Sequence, residues 1–353
     1  MDDHTPTRRK ILYVANLEFA GTSVHRVEAM KRLGQEVVTF TPAASLPQSR
    51  ILAKLRYYYP VGPLVSGVNR DLLKMVHRER PDVVWFDKPL FFTPETIQEI
   101  KSTGATTVCY NQDNPFGPRN DGCWMQFLRA YRYFDLNCLF RKADVIRYQG
   151  WNLPYIELQF SHDPQQNFPP PAEWTDAQRH REVSFTGSPF DDRAEFLMTL
   201  AEKHRLPVLI TGPRWERGLN QQQIEKYVTG GLLTSDAYRE NIWRSKINLA
   251  FVTHSNEDDV AHKAFEITAC GSFLLAERTA AHLAAFKEDE EAVFFSTVEE
   301  CADKARYYLD HASERASIAS RGRERAITSG YDNDTQLKRV LLKLDGIETR
   351  SAI

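Results

Sequence analysis

The sequence predicts a doubly wound α/β protein made of two similar domains. The first observation is that a strand, a glycine-containing loop, a helix and a second strand follow one another within residues 10–40. A β-α-β unit of this kind favours a parallel sheet. The second observation is that the alternation restarts beyond residue 176, after a stretch containing three consecutive prolines, Pro169–Pro171. Proline cannot continue a helix or sit in a central strand, so this stretch is the expected linker.

In the first half, short apolar runs alternate with amphipathic segments. The segment between the first two strands, residues 24–33, predicts a helix that Gly34 ends. The predicted strands are 10–15, 35–40, 82–86, 106–110 and 144–148, and further helices are expected at 94–103 and 127–142. The glycine-containing loop has no G-x-G-x-x-G pattern, which counts against a nicotinamide oxidoreductase.

The second half shows the same alternation. The predicted strands are 183–187, 207–212, 247–252, 273–276 and 292–296, and the predicted helices are 193–204, 236–244, 262–270, 298–309 and the segment beyond 312. Near the end, Leu337, Val340, Leu341 and Leu344 recur at helical spacing. This final helix should therefore pack its apolar face on a domain.

Composition limits the function classes. A chain of 353 residues is long enough to form two domains. Lys+Arg 45 against Asp+Glu 47 gives a net charge of −2, so no basic excess is present for a nucleic-acid backbone. The polar N-terminus is not a signal peptide, and no apolar run reaches the ~20 residues of a membrane helix. Five cysteines without a C-x-x-C pair predict reduced thiols, no structural zinc, and a cytoplasmic protein.

The most informative stretch is the strand–loop–helix–strand unit over residues 247–278. It places Lys263 and Glu266 on the first turns of a helix. Backbone amides at a helix start bind anions, and a nearby cation strengthens such a site. A carboxylate one turn further in can accept hydrogen bonds from a ribose diol. The combination predicts a pocket for a nucleoside diphosphate.

Other polar positions follow the ends of predicted strands. Gly187 and Ser188 could offer backbone amides to a phosphate, and Arg193 could neutralise it. Gly212 is as consistent with a turn as with a contact, and Arg214, with Trp215 beside it, could border the base. The acid run 257–259 resembles a metal site, but a solvated loop is the simpler interpretation for its outer two members.

Two groups of candidates lie in the first half. Thr22, Ser23 and Arg26 stand where the first strand meets its helix, although Ser23 could equally cap that helix. Asn111 and Asp113 follow a buried strand, and Asp113 could act as an acceptor ligand or base, although Asp-x-Pro also forms ordinary turns. We expect these residues to bind the second substrate.

The basic and aromatic segment 54–60 has three possible roles. It could border a binding groove, contact a membrane surface peripherally, or pack its rings beneath a loop. Packing beneath a loop is the simplest of the three.

At these positions the sequence resembles the GT-B glycosyltransferases, and specifically the group related to the spore maturation protein CgeB. The run FEITACG over 265–271 looks like the FE-x-x-A-x-G segment of that group. The match extends through FLLAERT at 273–279 and EAVFF at 291–295, with YNQD at 110–113 and FTGS at 185–188 earlier in the chain. The resemblance spans roughly residues 10 to 340.

The resemblance implies two Rossmann-like domains that face a central cleft. An N-terminal acceptor domain would cover 1–165 and a C-terminal donor domain 166–330, with a helix in 331–353 that crosses back to the N-terminal domain. The donor would be a nucleoside-diphosphate sugar, with no cofactor or metal. Phe265 would belong to the donor site through its place in the shared motif.

The resemblance also assigns catalytic candidates. Related retaining enzymes carry a glutamate eight positions before the pocket glutamate, where this chain has Asp258. That spacing slightly favours retention and makes Asp258 a catalytic candidate, beside Asp113, whose place after a buried strand already made it one. Relatives often have arginine at Lys263, and lysine neutralises phosphate without a bidentate grip.

Two other functions remain open on the sequence alone. A nucleotide-sugar 2-epimerase shares the fold, and a non-catalytic nucleotide- or sugar-binding subunit would need the same pocket. The acceptor could be a glycan, a lipid-linked molecule or a protein.

Overall fold

The structure is a computed structural model that describes residues 5–17, 21–45, 49–118 and 122–351. The start of the polar N-terminus and residues 18–20 of the first glycine-containing loop lie outside the described residues. The chain divides into two compact units: unit 1 is Met1–Gln159 with Asn333–Ile353, and unit 2 is Phe160–Asp332. The sequence placed the corresponding boundaries after residues 165 and 330.

Unit 1 contains a parallel sheet of six strands in the order β2-β1-β3-β4-β5-β6. Its strands are β1 (Lys10–Val14), β2 (Glu36–Phe40), β3 (Val83–Asp87), β4 (Thr106–Tyr110), β5 (Leu136–Leu139) and β6 (Tyr155–Glu157). Its helices up to residue 159 are α1 (Thr22–Arg32), α2 (Arg50–Tyr58), α3 (Pro63–Glu79), α4 (Pro94–Ser102), α5 (Met125–Ala130) and α6 (Lys142–Gly150).

The predicted strand at 144–148 and most of the predicted helix at 127–142 are wrong. The strand in this region is β5, whose four residues are all buried between β4 and β6. Residues 144–148 instead belong to α6, where Asp144 and Tyr148 are buried one turn apart and Ile146 is 62% exposed. Asp144 turns inward because it pairs with Arg147 at 3.0 Å. A buried, paired carboxylate thus occupies a position where a helix usually has an apolar residue, so the apolar spacing did not predict this helix.

Unit 2 repeats the architecture with a parallel sheet in the order β12-β11-β10-β7-β8-β9. Its strands are β7 (Arg181–Thr186), β8 (Val208–Thr211), β9 (Val228–Gly230), β10 (Ser245–Ala250), β11 (Leu274–Glu277) and β12 (Val293–Phe295). Its helices are α7 (Arg193–Met198), α8 (Gln221–Tyr227), α9 (Ser235–Trp243), α10 (His262–Ala269), α11 (Ala280–Ala285), α12 (Val298–Asp310) and α13 (Ala312–Thr328).

The last helix, α14 (Asn333–Ser351), returns to unit 1. It packs on α1, where Arg32 and Asp334 form an ion pair at 2.6 Å. The four apolar side chains whose spacing predicted the helix are all buried: Leu337, Val340, Leu341 and Leu344.

Strand order locates one switch point inside each sheet, where the connections leave in opposite directions. In unit 1 the chain leaves β1 toward β2 on one side and continues through β3 on the other. In unit 2 it runs from β7 through β8 to β9 and then crosses to β10 on the opposite side of β7. Open α/β sheets bind ligands outside the carboxyl ends of the strands at such switch points. Ligand sites are therefore expected beyond the carboxyl ends of β1 and β3 in unit 1 and of β7 and β10 in unit 2.

Candidate functional site

In unit 2, the carboxyl ends of β7, β8 and β10 are followed by the residues that the sequence singled out as donor ligands. Gly187 and Ser188 follow β7, and the loop containing Asp258 follows β10. That loop leads directly into α10, whose first two turns carry Lys263 and Glu266. A parallel sheet therefore gathers groups that are far apart in sequence.

Lys263 and Glu266 form a cluster with Tyr238 from α9. The Tyr238 hydroxyl donates a hydrogen bond of 2.6 Å to Glu266 Oε2, and the Lys263 ammonium lies 5.0 Å from the centre of the Tyr238 ring. Burial lowers the pKa of Lys263, and the charge of Arg193 lowers it further, whereas Glu266 raises it. Burial and the negative charge of Glu266 raise the pKa of Tyr238 well above its usual value, so Tyr238 stays a donor. The cluster therefore contains the Lys263 ammonium, whose charge is not fully compensated, and the Glu266 carboxylate, whose orientation is fixed by Tyr238.

The start of α10 is held by His282 of α11. The backbone N–H of Ala261, which precedes the helix, donates to His282 Nε2 at 3.0 Å. The other ring nitrogen lies 2.7 Å from the carbonyl oxygen of Glu277, at the end of β11. His282 is fully buried, and burial lowers its pKa to about 4. A neutral imidazole therefore ties the helix start to the strand end.

Arg193 lies in this region, but its guanidinium is used differently from the prediction. Its Nη2 donates to the Val252 carbonyl and to Thr253 Oγ1, both at 2.9 Å. Its Nε is buried without a hydrogen-bond partner among the described residues. Burial lowers the pKa of Arg193, while Asp191 and Asp258 raise it. Arg193 thus fixes the loop after β10 and adds positive potential, rather than presenting a free fork to phosphate.

Gly187 and Gly212 are required by close packing. A Cβ on Gly187 would lie 2.7 Å from the Phe185 ring, and one on Gly212 would lie 2.0 Å from the Gly187 carbonyl oxygen. Gly212 also has φ +150, in the region that favours glycine. Trp215 is buried and donates from Nε1 to the Gly187 oxygen at 3.0 Å. The prediction that Trp215 borders a base is therefore wrong, because its ring belongs to the core.

Two further donor candidates have clear positions. Phe265 is completely buried against Phe286 and Tyr331, with ring centres 5.6 and 5.0 Å away, so the prediction of a direct donor contact is wrong. Its place in the motif reflects packing of α10. Arg214 is exposed with φ +72, so its side chain is accessible.

Asp258 lies in the loop between β10 and α10. Its Oδ1 accepts a hydrogen bond of 2.8 Å from Asn256 Nδ2, and its backbone N–H donates to the Thr253 carbonyl. Its charge acts on Arg193, which is bonded to Thr253 of the same loop. Hydrogen bonds among its own residues thus hold the loop, and Asp258 lies half-buried beyond the carboxyl end of β10.

Unit 1 has a cavity of about 590 Å³ at its own switch point. Arg26 of α1 forms a buried ion pair of 2.7 Å with Asp87 at the end of β3. Tyr13 donates to the same carboxylate at 2.6 Å, and the Arg26 guanidinium lies 4.7 Å from the centre of the Tyr110 ring. Burial lowers the pKa of Arg26, but Asp87, Tyr13 and Tyr110 together more than offset this effect, so the pKa of Arg26 is raised. The charge of Arg26 on the cavity wall is therefore already paired within the protein.

The remaining predicted residues of unit 1 also line this cavity. Thr22 and Ser23 are in the first turn of α1, which Gly21 caps, so Ser23 is not the N-cap. Asn111 accepts from the backbone N–H of Asp113 at 3.3 Å. Asp113 pairs with Lys88 at 2.5 Å.

Sequence reasoning missed three polar residues of the two sites. Asp87 and Lys88 directly follow an apolar run, and their position at a strand end could have identified them. Tyr238 lies in a helix whose sequence carries no sign of the contact with Glu266, because that contact is tertiary.

Two searches of the described residues bear on other classes of site. No group of three or more His, Cys, Asp and Glu side chains with the geometry to hold a metal ion occurs in ranges 5–17, 21–45, 49–118 and 122–351. Within these same ranges no helix has the length and apolar character needed to cross a membrane. All five cysteines are free and buried, which agrees with the predicted reduced thiols.

Two findings bear on the class of protein. Residues 192–341 match the model of the glycosyl transferase-like family. The two six-stranded parallel sheets form the GT-B fold of glycosyltransferases. Both findings agree with the enzyme class that the sequence predicted.

Particular solved structures can then be named. The chain is similar to sucrose-phosphate synthase from Thermosynechococcus elongatus, with TM-score 0.68, 12% identity and coverage of 97% of this chain and 99% of that one. It is similar to Anabaena HepE in complex with UDP-glucose, with TM-score 0.64, 12% identity and coverage of 98% and 100%. It is also similar to the trehalose 6-phosphate synthase of Burkholderia multivorans, with TM-score 0.64, 11% identity and the same coverage. No curated protein sequence matches the chain. The finer relation to CgeB stays a prediction.

Proposed function

We propose that the protein is a GT-B glycosyltransferase that transfers a sugar from a nucleoside-diphosphate sugar, of which a UDP-sugar is the first to test. The observation that supports this is the cluster of Lys263, Glu266 and Tyr238 at the β7/β10 switch point. The UDP choice is supported by HepE, a protein of the same fold whose structures hold UDP and UDP-glucose.

Each member of the cluster has a distinct proposed role. Lys263 and the amides at the start of α10 bind the diphosphate and stabilise it as it leaves. Glu266 accepts hydrogen bonds from the ribose diol, and Tyr238 fixes the orientation of its carboxylate. Arg193 contributes positive potential while holding the loop after β10. The cations and helix amides then supply the charge stabilisation in a metal-independent reaction.

The backbone beside β7 and Arg214 complete the proposed donor site. Gly187 and Ser188 offer amides close to the phosphates, and Gly212 is needed because no Cβ fits against Gly187. Arg214 is exposed and available to border the base.

Asp258 and Asp113 are the proposed catalytic carboxylates. Asp258 binds a hydroxyl of the donor sugar, and its position eight residues before Glu266 favours retention. Asp113 orients the acceptor hydroxyl from unit 1, with Thr22, Ser23, Arg26 and Asn111 on the wall of the same cavity. The anomeric configuration of the product, read by proton NMR, tests retention directly.

The first experiment is a thermal-shift panel with UDP, GDP, dTDP and CMP. We expect one nucleoside diphosphate to raise the melting temperature, and Glu266→Ala to abolish that rise while the variant stays folded. Glu257→Ala is the matched control, because it removes an exposed glutamate from the same stretch. No response to any nucleotide, or an unchanged response in Glu266→Ala, would contradict the proposal.

Product analysis then separates the transferase from its rivals. A transferase releases free diphosphate from one nucleotide sugar and forms a glycoside with an acceptor. A 2-epimerase instead converts the sugar at C2, and a binding subunit releases nothing. Donor turnover that needs no acceptor and yields a C2 epimer would favour the epimerase.

We also propose peripheral membrane contact through the surface formed by α2 and the start of α3. Leu55, Tyr59 and Val61 are 56%, 60% and 51% exposed, so the prediction that the rings of 54–60 pack beneath a loop is wrong for Tyr59. Residues 49–70 contain four Lys or Arg and no acid. An apolar surface on a basic segment suits anionic lipid.

Vesicle co-sedimentation tests this contact. We expect binding to vesicles that contain phosphatidylglycerol and loss of binding in the double variant Leu55→Ser, Tyr59→Ser. Tyr133→Ser, which alters another exposed aromatic of unit 1, should bind as the unchanged protein does. Equal binding to neutral and anionic vesicles, or no binding, would contradict the proposed contact.

A further inference from the structure

The cavity of unit 1 has one polar wall and one apolar wall. Asn111, Gln112 and Asp113 lie on the polar side with Ser23. Tyr57 of α2 and the segment Leu90–Phe92 after β3 lie on the apolar side. A cavity of about 590 Å³ is in the usual range for a ligand larger than a single small sugar.

The charges on the cavity wall are compensated in pairs. Arg26 is held by Asp87 at 2.7 Å, and Lys88 is held by Asp113 at 2.5 Å. Each cation lining the described part of this cavity therefore has a carboxylate as its near neighbour. A phosphate group placed here would meet two carboxylates as well as two cations, so it would gain little attraction and suffer repulsion.

The apolar wall supplies attraction of another kind. Leu90 and Phe91 are half-buried in the absence of ligand, so part of their surface faces the cavity. Asn69 donates to the Phe91 carbonyl at 2.8 Å and anchors its backbone. Covering such surface with an apolar group of the ligand is favourable by about 25 cal/mol per Å².

We infer that the acceptor is an uncharged hydroxyl compound with an aromatic or aliphatic portion, rather than a sugar phosphate. Its hydroxyl lies toward Asp113, and its apolar portion lies against Leu90 and Phe91. This inference rests on the proposed function, since it describes the acceptor of the same reaction.

Two probes test the inference: phenyl β-glucoside and glucose 6-phosphate. Saturation-transfer NMR is recorded for each with the full chain and saturating UDP. We expect transfer to the phenyl protons and a weaker affinity for glucose 6-phosphate. Tighter binding of glucose 6-phosphate, or no binding of phenyl β-glucoside, overturns the inference.

Variants assign the binding to this cavity. Phe91→Ala should weaken phenyl β-glucoside at least about fivefold, which is about 1 kcal/mol. Leu90→Ala is a second variant should Phe91→Ala fail to fold, and Tyr133→Ala, outside the cavity, should have no effect. Unchanged affinity in the folded cavity variants overturns the inference.

A charge variant tests the compensation itself. Asp113→Asn removes the partner carboxylate of Lys88, so glucose 6-phosphate should bind at least about threefold more tightly. Unchanged binding would show that the pair does not exclude phosphate and would overturn the inference. UDP thermal shift in the same samples keeps the two proposals distinct, because loss of the UDP response concerns only the donor site.

Discussion

The two switch points carry similar residues in opposite electrostatic states. In unit 1, Asp87 raises the pKa of Arg26 and completes a buried ion pair. In unit 2, burial lowers the pKa of both Lys263 and Arg193, and the charge of Arg193 lowers the pKa of Lys263 further. A closed ion pair gains little from binding an added anion. Two cations whose charge is incompletely compensated, by contrast, favour anion binding. The comparison therefore supports the proposals that the anionic diphosphate binds to unit 2 and an uncharged acceptor to unit 1.

Removing Asp87 gives the largest expected effect. Asp87→Asn leaves the buried Arg26 charge without its carboxylate, which costs about 3–5 kcal/mol of the free energy of unfolding. Urea unfolding followed by tryptophan fluorescence measures the loss, since Trp85 stacks 6.3 Å from Tyr13 of the network.

Asp71→Asn is the matched control for Asp87→Asn. Asp71 pairs with Lys74 at 3.4 Å on the surface, so the loss should stay below about 1 kcal/mol. Equal effects of the two substitutions would show that the Arg26–Asp87 pair is not the closed network described here.

The second effect concerns acid stability in unit 2. His282 is neutral in the fold because burial lowers its pKa from 6.5 to about 4. The unfolded chain binds the proton first, so stability is full above about pH 6.5 and falls toward pH 4, by roughly 3 kcal/mol. Burial lowers the pKa of His162 as well, so it adds to the loss in the same direction.

Comparison with His282→Gln isolates this contribution. The variant should be less stable at neutral pH, because the bonds to Ala261 and Glu277 are perturbed. Its unfolding free energy should nevertheless depend less steeply on pH between about pH 6.5 and about pH 4. Parallel curves for the two proteins would rule out His282 as the titrating group.

The fold was predictable because buried parallel strands are short apolar runs. Most strand positions follow from such runs, but β5 was hidden inside a predicted helix and α6 was taken for a strand. Asp144 is the reason, since its ion pairs with the buried Arg141 at 3.8 Å and the half-buried Arg147 at 3.0 Å place a charge on the inner face of α6. The pairing with Arg147 is local, at i,i+3 spacing, whereas the burial of Asp144 depends on tertiary packing that the sequence alone does not show.

The candidate sites were predictable as positions rather than as roles. Lys263 and Glu266 were singled out because a helix start has a known chemistry, and the helix that carries both follows β10 at a switch point. Arg193 and Phe265 were assigned direct contacts, yet one holds a loop and the other fills the core. Sequence marks the element that carries a side chain, whereas its partners decide what the side chain does.

Neutralising Lys263 should separate binding from stability. Lys263→Met removes a charge that burial already disfavours, so the free energy of unfolding should change by less than about 1 kcal/mol. The affinity for UDP should fall at least about tenfold, or about 1.4 kcal/mol, in isothermal titration calorimetry. Lys203→Met, which alters an exposed lysine of unit 2, should leave UDP affinity unchanged. A large loss of stability with unchanged affinity would make Lys263 a structural cation like Arg26.

The smallest expected effect is a pH dependence of UDP binding. In the proposed site the diphosphate binds the protonated Lys263, and burial lowers the pKa of this group below its usual 10.5. UDP affinity should therefore begin to decline at a lower pH than the titration of an ordinary lysine would give, because the ammonium loses its proton. Lys263→Arg keeps its charge as the pH rises and should bind UDP with a flatter pH profile. Calorimetry in buffers of different ionisation enthalpy should also show proton uptake on binding by the unchanged protein alone. Equal pH profiles for the two proteins would mean that Lys263 is fully protonated before the nucleotide arrives, and the contrast between the two switch points would then rest on Arg193.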